Sequence, residues 1–103
     1  MTMWFFRFEG EFKKGDPLYN AKFVFTSSVV PIEDYYKAEE KFYNTLKERE
    51  IELLELIECF GFDATELDPE DNENSKWISV YDEALETGEV IFSDYHLFND
   101  RDS

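Results

Sequence analysis

The chain has 103 residues, of which 43% are hydrophobic and 18% aromatic, a size typical of one domain with enough apolar surface to close a core, which excludes overall disorder. Its formal charge of −15, from 25 acidic against 10 basic side chains, opposes adsorption to anionic lipid and direct docking on nucleic acid. The lone Cys59 excludes an intramolecular disulfide, no apolar run nears the roughly 20 residues of a bilayer span, and a cytoplasmic address is expected in the absence of a basic, apolar leader.

Residues 3–12, MWFFRFEGEF, set Trp4, Phe6 and Phe8 on one side and Phe5, Arg7 and Glu9 on the other, the period of a strand. Lys13, Lys14, Gly15, Asp16 and Pro17 carry turn chemistry, after which Tyr19, Ala21, Phe23 and Phe25 alternate with polar neighbours and Val24. An antiparallel hairpin is the simplest account. Pro31 suits the first turn of a helix, with Glu33 and Asp34 at its positive end. Tyr35, Ala38, Phe42 and Leu46 then recur at helical spacing to about Arg49, and Tyr36 and Tyr43, seven residues apart on a shared face, read as flanks of the core ahead of the alternative, contacts for a partner.

In residues 51–62, IELLELIECFGF, the glutamates Glu52, Glu55 and Glu58 fall every third residue. That spacing fits a helix, but a helix from 31 to 60 would be too long for so small a domain, so a strand is expected, either bulged or buried on both faces. Residues 63–75 read as a solvated loop, with Asn74 or Ser75 capping a helix from Lys76 to Thr87. Its inner face holds Trp77, Tyr81, Ala84 and Leu85, and Gly88 closes it in the left-handed conformation. Val90 and Phe92 open a closing strand, and residues 99–103 should fray. The expected fold is a single α+β domain over residues 1–103, ordered strand, strand, helix, strand, helix, strand, with an antiparallel or mixed four-stranded sheet and both helices on one face.

The chemistry-bearing residues assign no catalytic site, metal or cofactor. His96 is the sole histidine, so a nucleophile–base pair would have to be assembled across the fold. Cys59 lies in an apolar run among carboxylates that suppress a thiolate. Residues 68–74 have the oxygen ligands of a calcium loop but place Glu73 and Ser79 where an EF-hand needs glycine and a carboxylate. The four glycines follow no phosphate-cradling pattern.

The charge is unevenly distributed. Residues 1–49 hold 8 acidic and 8 basic side chains, whereas residues 50–103 hold 17 acidic ones against Lys76 and Arg101 alone, a balance of −15. Closely spaced carboxylates offer a basic nucleic-acid-binding protein something like its natural ligand. The expected partner is therefore a basic protein, met through Glu66, Asp68, Glu70, Asp71 and Glu73 in the acidic loop and Asp82, Glu83 and Glu86 on the second helix.

The aromatic first strand WFFRFEGEF, the late segment YDEALETGEVIFSDYHLF and the acidic single-domain plan resemble the small immunity proteins that protect bacteria from polymorphic toxins, including those of contact-dependent growth inhibition. The resemblance implies a cytoplasmic, non-enzymatic inhibitor that caps a cognate toxin domain, often a nuclease. Two alternatives stand beside it: a nucleic-acid mimic that inhibits another nucleic-acid-binding protein, and a small enzyme or metal protein built on His96 and carboxylates.

Overall fold

The structure is a computed structural model and describes residues 1–15 and 20–99. Asp16, Pro17 and Tyr19 of the expected turn lie outside the described residues. The hairpin itself is present: β1 (Met3–Phe12) pairs antiparallel with β2 (Phe23–Val30), from Trp4 opposite Val30 to Glu11 opposite Phe23. Then follow α1 (Tyr35–Glu48), β3 (Ile51–Phe62), a 3-10 turn (Ala64–Glu66), α2 (Asn72–Thr87) and β4 (Ile91–Phe98). The four strands form one antiparallel sheet in the order β3-β1-β2-β4, so residues 51–62 are a strand and make one edge.

The helices sit on opposite faces of this sheet, which corrects the expectation of one shared face. β1 is apolar on both sides, and each side needs its own cover. On one side Ala38, Phe42 and Leu46 of α1 pack on Phe6, Phe8 and Val30, with the Phe6 and Phe42 rings stacked at 4.4 Å. On the other, Val80, Tyr81 and Ala84 of α2 pack on Met3, Phe5 and Val29, with Trp77 set edge-on to Phe5 at 5.3 Å. Helices stacked on a single face would leave Met3, Phe5 and Val29 in water, at roughly 2 kcal/mol for each side chain.

Side-chain caps set the helix boundaries. Asp34 accepts from Lys37 N at 3.1 Å, so α1 starts at Tyr35 and Pro31 stays in the connection, where Ile32 N donates to Val30 O. Asp71 accepts from Glu73 N at 2.9 Å and starts α2 at Asn72, ahead of the expected Asn74 or Ser75 cap. Part of the expected 63–75 loop is therefore helical. At the other end Gly88 closes α2 with φ 70°, its N–H reaching Ala84 O at 2.8 Å. Leu85 is exposed rather than inward, and Tyr36 and Tyr43 are 79% and 41% exposed rather than flanking the core. Asn99 does not fray, because its side chain accepts from Lys22 N at 2.9 Å; residues 100–103 lie outside the described residues. Among the described residues, no helix is long and apolar enough to cross a membrane.

Candidate interaction surface

The three-residue spacing of Glu52, Glu55 and Glu58 has a structural cause. β3 pairs with β1 through two register shifts, one between Arg7 and Phe8 and one between Glu9 and Gly10. Each inserts an extra residue on β3, Ile57 and then Leu54, and so restores the face after every third step. Glu58 lies opposite Arg7, Glu55 opposite Glu9 and Glu52 opposite Glu11, all on the side of the sheet that carries α2. Leu56 and Leu53, which alternate with them, and Ile51, which precedes Glu52, turn to the α1 side, where Leu53 and Ile51 join the core.

The α2 side of the sheet is thus divided. One end, around Met3, Phe5, Phe62, Val29 and Ile91, is covered by α2. The other holds Glu9 and Glu11 of β1 beside Glu52, Glu55 and Glu58 of β3, with Phe23 and Phe25 on β2 facing Phe98 and His96 on β4. Glutamates set directly opposite one another, as Glu9 to Glu55 and Glu11 to Glu52, repel and cost the isolated fold a fraction of a kcal/mol, roughly 0.2–1 for each pair. Arg7 places a cation on this face, opposite Glu58, and its Nε donates to Ser27 Oγ at 3.3 Å.

The residues expected to contact a partner are all exposed, but they do different local work. Asp71 caps α2, and Asp68 Oδ1 accepts from Glu70 N at 2.9 Å, so both carboxylates hold backbone in place. Glu66, Glu70 and Glu73 project from the same segment without such a duty, although Glu70 and Glu73 lend their backbone N–H groups to those two aspartates. Asp82, Glu83 and Glu86 lie on the outer side of α2, away from Val80, Tyr81 and Ala84. Among the described residues the ion pairs are Lys14–Glu50 at 2.8 Å, Lys41–Glu89 at 3.6 Å, Lys76–Asp94, and the Met1 ammonium with Asp63 at 3.0 Å. None of them neutralises Glu66, Glu70, Glu73, Asp82, Glu83 or Glu86, or the three glutamates of β3. The β3 row escaped the sequence reading because alternation assigns Glu55 to the face opposite Glu52 and Glu58. Its signal was present: a three-residue polar period inside a strand requires bulges.

The other candidates take ordinary places. His96 is exposed on β4 opposite Phe25, 5.9 Å from the Phe98 ring. A shallow depression of about 390 Å³ between α1 and the α2–β4 connection is lined by Lys37, Glu40, Lys41, Asn44, Thr45, Glu48 and Glu89, not by His96. Burial pushes the Cys59 thiol up, against the adjoining Tyr35 hydroxyl, which pulls it down, and the Glu39 carboxylate pushes it up again. The Tyr35 hydroxyl donates to Glu39 at 2.7 Å, and that bond, followed by burial, holds it well above the ordinary phenol range. Among the described residues, no three His, Cys, Asp or Glu side chains converge as metal ligands.

Comparisons of the chain with protein-family models, with curated proteins and with solved structures returned no match.

Proposed function

We propose that the chain is a non-enzymatic acidic binding protein that neutralises a basic protein partner, and that in its most concrete form it is an immunity protein inhibiting a nuclease-type toxin. The observation that supports this reading is the disposition of the acidic half. Among the described residues, its loop and the outer side of α2 expose carboxylates that no ion pair engages, and the β3 row adds Glu52, Glu55 and Glu58, of which Glu58 lies opposite Arg7. Lys76, the basic side chain of that half within the described residues, is already paired with Asp94. Such a surface raises the rate of encounter with a cationic protein and repels nucleic acid. A toxin that grips a phosphate backbone presents the matching charge.

The test is reversal of Glu66, Glu70 and Glu73 to Lys together. These side chains are chosen because they are exposed and, unlike Asp68 and Asp71, hold no turn or cap. The triple variant is expected to keep its fold while its association with a captured basic partner slows by about tenfold or more, the scale of lost electrostatic steering. Undiminished binding, together with undiminished protection of a toxin-exposed cell, would remove these residues from the interface.

A further inference from the structure

Among the described residues, β3 is one edge of the sheet, with no strand beside its outer side to pair with that side's backbone N–H and C=O groups. It contains neither proline nor lysine, and it exposes Leu56, Ile57 and Phe60 by 38%, 39% and 46%. The bulges bend its first half, but residues 58–62 run in unbroken register with residues 3–7. The other edge, β4, is broken at Asp94, which takes φ 58° where the pairing with β2 shifts.

We propose that the β3 edge accepts an extended cationic segment of the protein partner as a fifth strand, an inference that rests on the acidic-docking reading above and names its surface. Strand addition obtains affinity from backbone hydrogen bonds and specificity from alternate side chains. On the α2 side the incoming strand meets Phe60, then Glu58, and past the bulges Glu55 and Glu52. Its residues on that side are therefore one apolar group followed by Lys or Arg. Phe60, stacked on Phe5 at 4.6 Å, is the rigid apolar contact. On the α1 side it meets Leu56, which calls for an apolar neighbour. Charge also decides against a second copy of the chain, since two β3 edges laid side by side would bring the same three glutamates together.

The experiment uses the full chain and a fluorescein-labelled peptide of alternating Val and Lys. A Val–Glu peptide and a Gly–Lys peptide of equal length serve as controls. Fluorescence anisotropy at low salt is expected to show binding of the Val–Lys peptide that weakens as salt rises, no binding of Val–Glu, and binding of Gly–Lys weaker by about tenfold. Amide hydrogen exchange should slow over residues 58–62 in the bound state. The variant E52K/E55K/E58K should lose about tenfold in affinity or more, while E66K/E70K/E73K keeps the protection on β3. Failure of the Val–Lys peptide to bind at low salt overturns the inference. Protection confined to residues 63–73 and α2 removes the edge but leaves the acidic-docking reading in place. A dimer in sedimentation whose protected amides lie on β3 gives the edge to a second copy and likewise overturns it.

Discussion

Asp63 joins three parts of the chain through one carboxylate. Oδ1 accepts from Thr65 N at 3.0 Å and Thr65 Oγ1 at 2.7 Å, while Oδ2 accepts from the Met1 ammonium at 3.0 Å. The Tyr81 hydroxyl, which donates to Met1 O at 2.6 Å, lies 3.3 Å from the same Oδ1. These bonds, the Thr65 hydroxyl first, hold the Asp63 carboxyl well below the usual carboxylate range. A carboxylate depressed on folding stabilises the native state fully above its unfolded value of about 4, and loses that contribution as pH falls through the lower folded value. Asp63→Asn is therefore expected to lower the urea midpoint at neutral pH, with the gap to the parent closing as the solution is acidified below about pH 4. A gap that stays constant down to acid would contradict the assignment. Phe42 carries a different kind of weight. It is fully buried and touches both Phe6 and Phe8, so Phe42→Ala should cost about 3–5 kcal/mol in denaturant unfolding.

The helix ends and the edge strand are where sequence and structure meet most directly. Gly88 was legible as a C-cap because it follows the last helical residue, and its φ of 70° shows why glycine is needed there. A Cβ on Gly88 would meet nothing within 4 Å, so Gly88→Ala should cost only the conformational penalty, about 1 kcal/mol in a thermal or urea melt. A loss of several kcal/mol would point to a contact the geometry does not contain. The starts of the helices were less legible. Asp34 and Asp71 act as caps, but each sits among other acidic residues, and spacing alone does not single out the carboxylate that turns back to the backbone. For β3 the helical spacing of Glu52, Glu55 and Glu58 competed with the strand assignment. Bulges at Ile57 and Leu54 resolve the conflict, since they let a strand repeat every third residue.

Across the whole molecule, the element order and a four-stranded sheet, antiparallel or mixed, were readable from periodicity, and the structure makes the sheet antiparallel; the placement of the helices was not readable. The clue lay in β1, whose Met3 and Phe5 on one side and Trp4, Phe6 and Phe8 on the other mark a central strand needing cover on both faces. The expected contact residues are exposed, but that the glutamates of β3 share one face of the sheet followed only once the register with β1 was known. A surface this acidic sets the kinetics of encounter more than the lifetime of a complex. The most direct measurement is therefore the association rate of the chain with a partner captured from its native host, followed as salt is raised from about 50 to 500 mM across the range where screening shortens the reach of charge. The partner should be basic and the rate should fall by about tenfold or more, with E66K/E70K/E73K starting lower and falling less steeply. A rate indifferent to salt, or a partner of neutral or acidic charge, would contradict the proposal that this protein works through its carboxylates.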